Sequence, residues 1–220
     1  MARTVQGAQM PSRREPRHRK RVLIASGLVA FVALLMTAGF LVGRSRSVPA
    51  LAGGLFSDAP PAPDFSLIDH KGQPFSLASS RGKVVALTFL YVHCPDVCPV
   101  IANKMAGSVA QLGPDAQNVD MLAVSMDPVG DTRLAVTEFT RAHGLDSYNN
   151  WHYLLGSPSE LRGVWSGYHV DAQPDPSGSP FVGHSALIYL IDRAGKLRVI
   201  LDANFAPADF LQDVKALLRS

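Results

Sequence analysis

The 220-residue chain has two cysteines, and both lie in one short run, Tyr91-Val92-His93-Cys94-Pro95-Asp96-Val97-Cys98-Pro99. A pair this close is a disulfide, a redox couple or a metal site. Both cysteines precede proline, whose ring disfavours the α region for the residue before it. Pro99 suits the first position of a helix, which predicts Cys98 at the N-cap. Helix N-termini favour negative charge, so both thiols are expected to ionise more readily than a free cysteine. Thiolates attack disulfides and bind soft metals. Two on one loop suit Cu(I), whereas structural zinc wants four ligands in a closed tetrahedron. An inert staple is the plain alternative, but so short a loop constrains little chain entropy.

An imidazole would add a harder donor and make Cu(II) tolerable. His184, in Val182-Gly183-His184-Ser185-Ala186, stands between a polar, proline-rich loop and an apolar run. His93 is the second choice, because it points to the opposite face from Cys94 if the strand continues. His18, His70, His143, His152 and His169 read as tail, surface or packing residues. Asp96 is an acid of the cysteine loop, placed to tune the thiolates. Asp127 and Asp131, in Asp127-Pro128-Val129-Gly130-Asp131-Thr132, either organise the site or simply end a strand and cap a helix.

The surrounding elements must bring these residues together. Phe65 to Leu77 alternates around His70-Lys71-Gly72 and predicts a hairpin. Lys83–Tyr91 and Val119–Met126 are continuous apolar runs, which predicts buried central strands. Ile101, Met105, Val109 and Leu112 recur at helical spacing after Pro99. A helix from Asp131 or Thr132 to His143, a strand at Trp151–Leu155 and a helix at Pro158–Trp165 follow. Then come a polar loop, Asp171–Gly183, and a second hairpin of Ser185–Ile191 with Leu197–Leu201. A last helix opens at Pro207. Strands alternating with helices, then a hairpin and a helix, predict an α/β fold of thioredoxin-like type. Its central sheet is flanked by helices, with an extra N-terminal hairpin. In that fold type the loop before His184 faces the cysteine turn.

Three segments, Cys94-Pro95-Asp96-Val97-Cys98-Pro99, Asp127-Pro128-Val129-Gly130-Asp131-Thr132 and Gly183-His184-Ser185, together resemble the Sco/SenC family of copper proteins over about Asp64 to Ser220. The resemblance implies copper, as Cu(I) and Cu(II), held by Cys94, Cys98 and His184. It implies assistance to the copper A centre of cytochrome c oxidase, by copper delivery, by thiol reduction of the target, or both. The partner implied is subunit II of that oxidase or another copper-receiving protein. Arg133 stands where family members often have proline, and Gly183 where an aspartate often precedes the histidine. An enzyme reading competes, a membrane-anchored thiol–disulfide oxidoreductase or thiol peroxidase with Cys94 and Cys98 as the catalytic pair. The extra residue between the cysteines, the distal His184 and the lack of Lys or Arg within Tyr91–Pro99 favour copper.

The chain divides into a basic tail (1–21), an uncharged apolar span (22–43), a Pro/Gly/Ser linker (44–63) and the thioredoxin-like domain (64–220). Residues 1–21 hold seven Lys/Arg and one acid, while 47–220 hold 12 basic and 17 acidic residues. That acidic balance excludes a nucleic-acid surface. The 22-residue span matches a membrane-crossing helix. Its basic flank places the N-terminus in the cytoplasm and the domain outside, on a single pass through a plasma (inner) membrane. A cleaved signal peptide is the rival, with Ala50-Leu51-Ala52 as the cleavage motif, but its apolar core would be shorter. A mitochondrial presequence would share the arginines, though the short tail favours the bacterial membrane. N-terminal sequencing of the membrane-extracted protein is expected to find an uncleaved chain; a start near Gly53 would overturn the anchor.

Overall fold

The computed structural model describes residues 51–170 and 186–220. The span 22–43, the loop Asp171–Gly183 and His184 lie outside the described residues. The longest apolar runs form the middle of the sheet. β4 (Val84–Leu90) and β5 (Val119–Ser125) pair in parallel and are buried at every position. Alternate side chains of β4 enter opposite cores, as the two-residue repeat of a strand requires. Val84, Ala86 and Leu90 pack with Ile101 and Met105 of α1 (Val97–Ala110) and with Phe210, Val214 and Leu217 of α4 (Pro207–Arg219). Val85, Leu87 and Phe89 pack with Leu161, Val164 and Trp165 of α3 (Pro158–Gly167). Each fully buried Leu or Phe contributes about 1.5–3 kcal/mol.

The sheet extends outward from this pair. β6 (Trp151–Leu155) lies parallel to β5, and β7 (Leu187–Ile191) lies antiparallel to β4. β8 (Leu197–Asp202) pairs with β7, and the hairpin of β2 (Ser66–Asp69) and β3 (Pro74–Ser76) pairs with β6 through β2. With β1 (Gly54–Leu55) at the edge beyond β8, the full order is β1-β8-β7-β4-β5-β6-β2-β3. The fold is thus the α/β thioredoxin-like sheet with the added hairpin that the element order predicts. α2 (Arg133–Ala142) is capped by Thr132, whose hydroxyl accepts the Ala135 N–H at 3.2 Å. α3 carries a capping box between Ser157 and Glu160.

The expected linker differs from the structure over its described part. Gly54–Leu55 form β1, an edge strand on β8. Pro61 bridges Lys196, and Ala62 is buried. The anchor of this segment is Asp213 of α4, which has no solvent exposure. Its carboxylate accepts the Ala52 N–H at 2.6 Å and the Gly53 N–H at 3.1 Å. A Cβ on Gly53 would lie 2.9 Å from the Ile200 carbonyl oxygen, so glycine permits the approach. Composition without an apolar period gave no sign of this strand, because the tethering carboxylate lies some 160 residues away.

Deletion of residues 51–63 removes two hydrogen bonds to a charged group, a net loss of about 1.5–3 kcal/mol. A chain of residues 51–220 is therefore expected to exceed one of 64–220 in stability by at least that much, measured by urea unfolding without metal. Both should unfold cooperatively, given cores of this size. Equal stabilities would show that β1 and its tether contribute nothing.

Candidate metal centre

β4 ends at Leu90, and the chain turns directly into the cysteine loop. Asp96 is the N-cap of α1, its carboxylate accepting the Val97 N–H. The helix therefore starts at Val97, and the expected N-cap position for Cys98 is corrected. Pro99 sits further into the first turn, where an N–H has no intrahelical partner to lose. The sulfurs are held at the start of this helix. Cys98 N–H donates to Cys94 Sγ at 3.4 Å, and Cys94 Sγ lies 3.8 Å from Asp96 Oδ1. Cys94 N–H donates to the Tyr91 carbonyl at 3.3 Å. Both cysteines are buried and carry free thiols.

Inclusion of Cys98 in the helix has an electrostatic consequence. Burial pushes the Cys98 thiol well above the usual thiol range. A backbone hydrogen bond from Tyr91 opposes this, while the Cys94 thiol and the Asp131 charge add to it. The expectation that both thiols ionise readily is thus corrected for Cys98: loss of water outweighs the helix end. Burial and the neighbouring Cys94 likewise push the Tyr91 hydroxyl up to about 12. A metal that takes Cys98 must displace its proton.

Asp131 ties the loop to the sheet. Its Oδ1 accepts the Val92 N–H at 2.9 Å, and its Oδ2 accepts the Ser125 hydroxyl at 2.6 Å. The Tyr153 hydroxyl lies 2.9 Å from Oδ2 and 3.0 Å from the Leu90 carbonyl. Burial raises the Asp131 pKa, and the bonds from Ser125, Val92 and Tyr153 counter it. Asp127 Oδ1 accepts the Val129 and Gly130 N–H groups, which shapes the 127–131 turn. Ser125 and Tyr153 escaped the sequence reading. Their only signal was a hydroxyl within a mostly apolar strand. His93 is exposed beside the Asp127–Asp131 turn. His184 lies outside the described residues; the described chain resumes at Ala186, and Leu187 accepts from Thr88 Oγ1 of β4 at 3.0 Å.

Two soft sulfur donors meet at one helix start, and no zinc-type set of four surrounds them among the described residues. The donor set fits Cu(I), which is content with few thiolates. Fold and site together define a thioredoxin-like protein with a buried dithiol. The SCO1/SenC family model matches residues 57–219, and the chain belongs to that family. It is similar to the mitochondrial SCO2 homolog of Bos taurus, 34% identical over 137 residues that cover 60% of this chain and 50% of that one. It is similar to Bradyrhizobium japonicum ScoI with copper bound, at 30% identity and a TM-score of 0.62, covering 72% of this chain and 99% of that one. It is also similar to BsSco, a member of the Sco family of cytochrome c oxidase assembly proteins with a disulfide switch, at 25% identity and a TM-score of 0.62, covering 72% and 94%. The chain spans about half the length of the mammalian SCO2 homologs it matches. Among the described residues no helix is long and apolar enough to cross a membrane.

The raised Cys98 pKa sets a pH dependence for the metal-free protein. The unfolded thiol ionises near pH 8.5, as free cysteine does. Above that pH the unfolded chain binds fewer protons than the folded one, so stability falls as pH rises. Between about pH 8.5 and 10 the expected slope is at most about 1.4 kcal/mol per pH unit from this group. Denaturant unfolding across that window should show the slope, and Cys98→Ser should flatten it. An identical slope in the variant would place the titration elsewhere.

Proposed function

We propose that this chain is a copper-binding assembly factor whose cargo is held by Cys94, Cys98 and His184. The observation that carries the reading is the buried free dithiol at the start of α1, held next to Asp96 and backed by Asp131. Copper bound to the ScoI relative supports it. The receiver is the copper A centre of cytochrome c oxidase, in subunit II or an equivalent copper protein, as family membership and the BsSco relative suggest. Asp96 and Asp131 are positioning residues, the first beside the Cys94 sulfur and the second fixing the strand end from which the loop departs. The apolar span 22–43 anchors the protein by a single pass, with the N-terminus cytoplasmic and the domain on the extracytoplasmic side. The tether would let the domain reach a membrane-bound receiver.

A second reading uses the same pair as a thiol reductant. In it, one thiolate attacks a disulfide of the target, the second cysteine resolves the mixed disulfide, and the target leaves as a dithiol. The Cys98 N–H contact to Cys94 Sγ and the switch of the BsSco relative favour keeping it. The raised Cys98 pKa makes it a poor first attacker, so Cys94 would open the exchange.

Anaerobic loading with each copper oxidation state separates the roles of the donors. His184→Ala is expected to keep one Cu(I) per reduced protein and to lose stable Cu(II) with its thiolate-to-copper absorption, because Cu(II) prefers nitrogen. Cys94→Ser or Cys98→Ser should lose both. His93→Ala should keep the absorption band. A band that survives His184→Ala and vanishes in His93→Ala would mean the other histidine is the ligand. No copper binding, with rapid disulfide reduction, would leave the reductant reading alone.

A further inference from the structure

We propose that His93, Asp127 and Asp131 form a second cation site, separate from the cysteine pair and suited to a divalent first-row ion such as zinc. One donor atom from each of the three residues lies within 4.8 Å of the others. Asp127 and Asp131 are 3% and 4% exposed, yet neither pairs with a Lys or Arg among the described residues. Their hydrogen bonds offset part of the cost of burial, but two like charges this close still repel each other. A bound cation supplies the counter-charge.

The details of the turn fit this reading. Both backbone bonds to Asp127 fall on Oδ1, and among the described residues no hydrogen bond falls on Oδ2. Asp131 uses three of its roughly four lone-pair positions on Val92, Ser125 and Tyr153. One position remains, and the three bonds fix the orientation of the carboxylate, as outer-shell partners do for a ligand. Gly130 leaves the room. A Cβ there would lie 2.2 Å from Asp127 Oδ2 and 3.2 Å from His93 Nδ1. Gly130 is not among the residues with positive φ, so its backbone conformation does not call for glycine, whereas the space does.

The donors are one nitrogen and two oxygens, a borderline-to-hard set that differs from the thiolates. Ligands of a tetrahedral zinc sit about 3.4 Å apart, from bond lengths near 2.1 Å. The three groups, at most 4.8 Å apart, therefore need to close in by no more than about 1.4 Å. His93 is the one exposed on a loop and can supply that movement, while both aspartates are pinned. The imidazole would swing over Gly130 toward Asp127.

The test is zinc titration of the full chain carrying Cys94→Ser and Cys98→Ser, followed calorimetrically, so that no thiolate competes. One zinc per chain is expected. Adding His93→Ala or Asp127→Asn should weaken it at least tenfold, and so should Gly130→Ala, whose methyl group fills the gap. Val129→Ala, an exposed change on the same turn, should leave it unaltered. His93 is exposed, so its variant decides the matter even where an aspartate variant fails to fold. No saturable zinc, or zinc that ignores His93→Ala, overturns the proposal. Neither result touches the copper reading, which is read from the thiolate absorption of the cysteine-containing protein.

Discussion

The site depends on one buried carboxylate. Asp131 takes a hydroxyl from the end of β5, lies against a hydroxyl from β6, and accepts the backbone N–H of Val92 just past β4. A carboxylate out of water is costly unless such donors surround it. The three strands run parallel, so their carboxyl ends come together and one group can reach all of them. The first residues of the cysteine loop are therefore fixed by the sheet rather than by their own sequence. Removal of Asp131 would free Val92 and take the acceptor from Ser125, while the Tyr153 hydroxyl would keep the Leu90 carbonyl.

Much of the fold could be read from the chain because its signals are local. The runs that became β4 and β5 are apolar throughout, as strands covered on both faces must be. Thr132 stands at a helix start with the partner expected of a cap. Misreadings arose where the deciding contact is distant or where two rules compete. Asp213 holds Ala52 and Gly53 from the far end of the chain, and no window of sequence displays that. Asp131 beside Thr132 offered two candidate caps, and only the structure assigns the cap to the threonine and the carboxylate to the core. The helix start at Val97 shows the second kind of conflict. The rule about residues before proline argued for a later start, but Asp96 supplies a cap and the first turn tolerates the ring.

The cysteine pair and the aspartate turn separate two kinds of chemistry within a small volume. Sulfur lies in the core-facing side of the loop, beside Ile101 and Met105. Oxygen donors lie on the Asp127–Asp131 turn, with the His93 nitrogen beside them. The two donor sets differ in softness, the thiolates suiting a soft ion and the oxygen and nitrogen atoms a harder one. Burial adds a further filter at Cys98, since only a species able to replace a proton gains entry.

The outermost strands are very short. β1 has two residues and β3 has three, one of them Pro74, which has no N–H to offer. Edge strands that are long and regular invite other chains to add to the sheet, and truncated ones do not. The eight-stranded sheet is therefore poorly suited to polymerise through its rims, even at the high local concentration that confinement to a surface would produce.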